Sequence, residues 1–143
     1  IFYMYSLYRF EKSHENLPLR IMLNHAGITY EDNILPKDSI KNLKTPIPCL
    51  KLPDGKLISE SRKIGSYLAS TFDYLVGKEK ENTAHDKIAI DAHDLLRLLD
   101  SVVSKKEIQV LVEKIKKFSS NIEKCITQNS GKFIFGQKIT YAD

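Results

Sequence analysis

Residues 47–61 constrain the chain more than any other stretch: Ile47-Pro48-Cys49-Leu50-Lys51-Leu52-Pro53-Asp54-Gly55-Lys56-Leu57-Ile58-Ser59-Glu60-Ser61. Two short apolar runs flank a Pro-Asp-Gly turn, and the second run closes on Glu60-Ser61, where a helical pattern begins. The expected unit is a β-hairpin feeding a helix. Pro48 has no N–H to give to a ladder, so Ile47 is placed to offer its own N–H and C=O to a ligand. Ser61 stands at the mouth of the helix, where unpaired N–H groups and the positive end of the dipole attract a carboxylate. Together these features describe a site for an extended, peptide-like anion.

The rest of the chain builds outward from this unit. Residues 1–10 are rich in aromatics with no helix punctuation and predict a strand. Asn16, Leu17 and Pro18 then supply a cap and an early-turn proline, and Leu19, Met22, Leu23 and Ala26 form one apolar face that ends at Gly27. Residues 28–35 alternate loosely, as a second strand does. The order β-α-β, then hairpin, then helix predicts a thioredoxin-like α/β domain with a mixed sheet over residues 1–76.

Residues 77–82, Gly-Lys-Glu-Lys-Glu-Asn, carry no bulky apolar side chain and read as a linker. Beyond it, apolar residues recur at helical spacing twice: Ile88, Ala92, Leu95, Leu96, Leu99, Val102 and Val103, then Ile108, Leu111, Val112, Ile115, Phe118, Ile122 and Ile126. Residues 83–143 are therefore the start of an all-α domain, its two helices expected to pack on each other. Asn129-Ser130-Gly131 breaks the second helix, and Thr140 followed three residues later by Asp143 announces another one, with Ile139 as a staple. The sequence stops within the first turn, so the expected second domain is truncated.

Composition excludes several classes. The 22 basic and 18 acidic residues give a net charge of +4 but are interleaved instead of blocked, which argues against a nucleic-acid partner. No apolar run approaches the roughly 18 residues of a membrane span, and the first twenty residues are too charged for a signal peptide, so a cytoplasmic protein is expected. Cys49 and Cys125 lack the spacing of a redox pair, and His14, His25, His85 and His93 lack metal-ligand spacing; no metal is assigned.

Ile47-Pro48, the Asp-Gly hairpin, Glu60-Ser61 and then Ile64 and Tyr67-Leu68 resemble the glutathione-binding half of the cytosolic glutathione S-transferases. Phe133, Gly136, Thr140, Ala142 and Asp143 are similar to the motif of the helix at the centre of that family's all-α domain. The spacing of Tyr5-x-Leu7, Phe10, Pro18-x-Arg20 and Ile28-x-Tyr30-Glu31-Asp32 is closest to the sigma-like branch. The resemblance implies a cis Pro48, Ile47 pairing with the cysteinyl backbone of glutathione, Glu60 and Ser61 holding its γ-glutamyl group, and Lys44, with Lys41 competing, holding the glycyl carboxylate. It further implies glutathione as co-substrate, conjugation to small hydrophobic electrophiles, a homodimer, and an aspartate such as Asp91 or Asp94 offered to the neighbouring subunit.

A thiol near pKa 8.5 needs a donor aimed at its sulfur before it attacks an electrophile. The ungapped comparison puts Arg9 where that branch has its catalytic tyrosine, and one inserted residue puts Tyr8 there. Tyr8 is the favoured activator and Arg9 its competitor; adjacent strand residues face opposite sides, so only one can serve. The alternative is a non-catalytic module of the same fold, either a translation-complex scaffold or a crystallin-like structural protein.

Overall fold

The computed structural model describes residues 4–36, 38, 39, 44–74, 79–140, 142 and 143, with the side chains of 79–83 and 85 also outside the description. The backbone divides into two compact units, Ile1–Leu68 and Ala69–Asp143.

The first unit is the expected mixed sheet. β1 (Tyr5–Phe10), a single 3-10 turn (His14–Asn16), α1 (Leu17–His25), β2 (Tyr30–Leu35), β3 (Cys49–Lys51), β4 (Leu57–Ser59) and α2 (Ser61–Thr71) follow in chain order. The strands lie in the order β2-β1-β3-β4. β1 runs parallel to β2 and antiparallel to β3, and β3 is antiparallel to β4.

Local chemistry accounts for the boundaries. Asn16 caps α1 by position, but its side chain makes no cap bond. Its Nδ2 instead donates to the Phe10 carbonyl at 3.2 Å, tying the start of the helix to the end of β1. α1 stops where Gly27 adopts φ +68, a region that favours glycine. At the hairpin tip Asp54 Oδ1 accepts from the Lys56 N–H at 2.9 Å, and Gly55 takes φ +88.

The registers sort side chains into two faces. Leu7 is level with Asp32 and Leu50, Arg9 with Ile34, and Leu50 with Ile58; Tyr8 is level with Asn33 and Cys49 on the other side. The helices cover the Leu7 face: Tyr5 Oη meets Tyr67 Oη of α2 at 3.4 Å, and Arg20 of α1 reaches Asp32 at 3.9 Å. Leu7, Leu19, Leu23, Leu50, Ile64 and Leu68 are fully buried and form this core. Burial and the Tyr67 contact push the Tyr5 hydroxyl up to about 12, so it stays protonated and neutral.

The second unit holds α3 (Glu79–Ser101) and α4 (Lys105–Asn129). Glu79–Asn82, read from composition as linker, form the first turn of α3; Glu and Lys are good helix formers, and neither Gly nor Pro interrupts them. Gly77 and Lys78 lie outside the described residues. α4 opens on a complete capping box, Ser104 with Glu107, whose carboxyl is held below its ordinary range chiefly by the Ser104 hydroxyl. Along α4 only Leu111 is buried, while Ile108, Val112, Ile115 and Ile126 remain between 39% and 49% exposed. No helix among the described residues is long and apolar enough to cross a membrane.

The announced cap after α4 forms. Asp143 Oδ2 accepts from the Thr140 N–H at 2.7 Å and from its hydroxyl at 2.8 Å, and Oδ1 accepts from the Ile134 N–H at 2.7 Å. One carboxylate thus pins both Thr140, which is buried, and the turn that pairs Phe133 with Gly136. That turn passes directly over Gly131. A Cβ at Gly131 would collide with the Gly136 carbonyl, so backbone would have to move. Gly131→Ala is expected to lower the stability of this unit by about 1–3 kcal/mol, the usual range for overpacking. A reduced urea midpoint of the helical circular dichroism signal would show it; an unchanged midpoint would contradict this close approach.

Candidate functional site

Two of the sequence-selected pairs are brought together at one end of the first unit. The Glu60 N–H donates to the Pro48 carbonyl at 3.1 Å, so Ile47-Pro48 and Glu60-Ser61 are neighbours across the hairpin although twelve residues separate their starts. The Ile47-Pro48 bond is cis. Glu60 carries φ +74, an uncommon conformation for a residue with a side chain, and its carbonyl accepts the first bond of α2 from Ile64. The turn of chain between β4 and α2 therefore sharply redirects the backbone just where the helix begins.

The side chains there are engaged. Glu60 pairs with Lys63 at 2.8 Å, an exposed contact of small energetic weight. Ser61, buried to 6% exposure, donates its hydroxyl to Glu15 Oε2 at 3.4 Å. Glu15 belongs to the 3-10 turn ahead of α1 and was not among the residues singled out from sequence. Lys44 is exposed ahead of Thr45-Pro46, and its competitor Lys41 lies outside the described residues.

The two candidate activators have different surroundings. Arg9 is buried, and its guanidinium grips Asp32 through two parallel bonds, Nε to Oδ1 at 2.7 Å and Nη2 to Oδ2 at 2.8 Å; Nη1 reaches the Phe10 carbonyl at 3.5 Å. Such a fork-to-carboxylate fit is the strongest form of protein ion pair. The Arg9 hydrogen bond holds the Asp32 carboxyl below the usual range, and the same bond raises Arg9. Tyr8 is half-buried beside Cys49, the residue that follows Pro48, on the face opposite α1 and α2. β1 keeps an unbroken ladder through six residues, so Tyr8 and Arg9 face opposite sides of the sheet.

In the second unit Asp91 and Asp94 border a groove of about 320 Å³ between α3 and α4, facing Lys114, Lys117 and Phe118. Among the described residues no group of three His, Cys, Asp or Glu side chains is arranged to hold a metal ion.

Residues 93–143 match the family model described as "Glutathione S-transferase, C-terminal domain". No curated protein matches the sequence. Among solved structures, a Nu-class glutathione S-transferase from Haemonchus contortus superposes with a TM-score of 0.80 at 25% identity, over 97% of this chain and 76% of that one. The glutathione S-transferase from Ascaris lumbricoides gives 0.80 at 24% identity, over 97% and 75%. A monomeric glutathione S-transferase from the hookworm Necator americanus gives 0.80 at 21%, over 97% and 75%. The fold is that of the glutathione S-transferases, a thioredoxin-like unit followed by the beginning of their all-α domain.

The Arg9–Asp32 pair generates a pH signature. Because the folded-state pKa of Asp32 is depressed, the stabilisation is present above the ordinary carboxylate value of about 3.9 and is lost as pH falls through the lower folded value. Asp32→Asn strands a buried guanidinium and is expected to cost on the order of 3 kcal/mol at pH 7. Urea unfolding between pH 7 and pH 2 should show that cost, together with a shallower acid slope in the variant. Equal stability of both proteins at pH 7 would mean the pair contributes nothing.

Proposed function

We propose that this protein binds glutathione, stabilises its thiolate and conjugates the whole molecule through its sulfur to small hydrophobic electrophiles. The observation that carries the reading is the hydrogen bond that sets Ile47-Pro48 against Glu60-Ser61, because it joins a backbone segment outside the β3 ladder to the N-terminus of a helix. An extended peptide pairs with the first through main-chain bonds, and its carboxylate is drawn to the second. Glutathione has this shape and charge. The fold and the match of residues 93–143 support the same conclusion.

In the mechanism proposed, Ile47 aligns the cysteinyl backbone, Glu60 and Ser61 receive the γ-glutamyl end, and Lys44 receives the glycyl carboxylate. Tyr8 donates its O–H to the sulfur. A hydrogen bond to the thiolate favours the charged form, and each unit by which the thiol pKa falls corresponds to about 1.4 kcal/mol. Arg9 is the weaker candidate, since turning to a sulfur would mean surrendering both bonds to Asp32. The sigma-like motif spacing is the proposed subclass, with a cytoplasmic location and a homodimer as its usual setting. A second reading rests on one observation: Tyr8 lies on the sheet face opposite α2, whose first residue is Ser61. If that direction keeps the hydroxyl from the sulfur, the protein binds glutathione without activating it, as an assembly or structural module of the same fold.

Titration calorimetry with glutathione, with the ultraviolet thiolate band followed in parallel, separates these readings. Binding with a thiolate band in the parent and loss of that band in Tyr8→Phe is expected. Arg9→Ala is expected to keep the band while unfolding at a lower temperature. Ser61→Ala should weaken binding about tenfold, the loss of one hydrogen bond to a charged group. Binding without any thiolate band supports the non-catalytic module, and no binding at millimolar glutathione refutes the glutathione reading.

A further inference from the structure

α3 and α4 carry the same short pattern with opposite sign. On α3 it reads Asp91-x-x-Asp94-Leu95, and on α4 it reads Lys114-x-x-Lys117-Phe118. Residues three and four apart share one face of a helix, so each pattern sets two like charges beside an apolar side chain. Both patterns line the same groove, of about 320 Å³, where Leu98 joins Leu95 and Phe118 as its apolar part. These three side chains are half-buried. The volume falls within the range of small-molecule sites, roughly 300–1,000 Å³.

Exposed charges of opposite sign do pair in this unit, as Lys138 and Asp73 do at 2.7 Å. Across the groove they do not. Among the described residues, Asp91, Asp94, Lys114 and Lys117 form no hydrogen bond or ion pair. The groove therefore offers an acidic wall, a basic wall and an apolar surface between them, with the charged groups uncommitted. A purely anionic amphiphile meets the two aspartates, and a purely cationic one meets the two lysines, to which Lys87 adds a third. A ligand that carries an ammonium and a carboxylate at one end of an apolar body satisfies both walls together. A free α-amino acid with a large apolar side chain is a small molecule of that description.

We infer that the groove between α3 and α4 binds apolar α-amino acids as zwitterions, with the ammonium toward Asp91 and Asp94, the carboxylate toward Lys114 and Lys117, and the side chain on Leu95, Leu98 and Phe118. The site lies wholly in the second unit and does not rest on the glutathione reading.

An amide NMR titration of the protein with L-phenylalanine tests this. Three probes accompany it: N-acetylphenylalanine lacks the ammonium, phenylalanine amide lacks the carboxylate, and alanine lacks the large side chain. A ligand this small is expected to bind with a Kd of about 1 mM and to shift amides of α3 and α4. The parent should prefer phenylalanine to each of the three by about fivefold. Asp91→Asn combined with Asp94→Asn should lose the preference over N-acetylphenylalanine and keep that over the amide. Lys114→Gln combined with Lys117→Gln should do the reverse, and Glu113→Gln, a charge removed from α4 outside the groove, should keep both. That crossed pattern is not produced by a change in net charge or helix stability. Equal affinity of the parent for all four probes, or no shift in α3 and α4 at about 20 mM phenylalanine, overturns the inference. So does loss of both preferences in both double variants with the helical circular dichroism signal intact, since the sign of each wall would then be immaterial.

Discussion

β1 is hydrogen-bonded on both sides, parallel to β2 and antiparallel to β3, and a strand held from two directions leaves its side chains no choice of face. The rest of the first unit depends on this. Leu7 must enter the core beneath α1 and α2, where it is fully buried with Leu50. Arg9 must enter the same side two residues later, at the polar edge of that core, and a buried guanidinium without a partner would be costly. Asp32 lies level with Leu7 on the neighbouring strand and supplies the partner. Tyr8 is turned to the opposite face for the same reason. A single register thus settles the core, an ion pair and the direction of the candidate catalytic hydroxyl.

The second organising contact is between Pro48 and Glu60. Closing the hairpin there sets the end of one strand connection against the beginning of a helix, and the left-handed Glu60 makes the turn between them short. Residues proposed to bind the ligand, from separated parts of the chain, meet because the hairpin folds back on itself. Beside it, Ser61 donates its hydroxyl to Glu15. In the second unit one carboxylate, Asp143, does a comparable job, satisfying Thr140 and the turn around Ile134 together.

Much of this was legible in the linear chain, because it depends on near neighbours. The Pro53-Asp54-Gly55 tip, the Asn16-Leu17-Pro18 opening of α1, the stop at Gly27 and the Thr140–Asp143 cap are all short-range, and each lies where its residues suggested. The linker is the exception, since a low content of apolar residues marks exposure and does not distinguish a connector from the solvated first turn of a helix. Long-range polar partners were not legible. Nothing in residues 9 and 32, 6 and 31, or 15 and 61 shows from their types alone that they meet.

The sequence by itself determined the element order and the helix and turn boundaries within a few residues, because each follows from backbone preferences and apolar periodicity over a handful of positions. Only the tertiary structure decided which of Tyr8 and Arg9 lies beneath the helices, that Arg9 is committed to Asp32, and that Glu15 stands at Ser61. Those outcomes depend on the register between strands and on where the turn before α1 docks. Both are chosen by the summed burial of the whole unit, which no local pattern encodes.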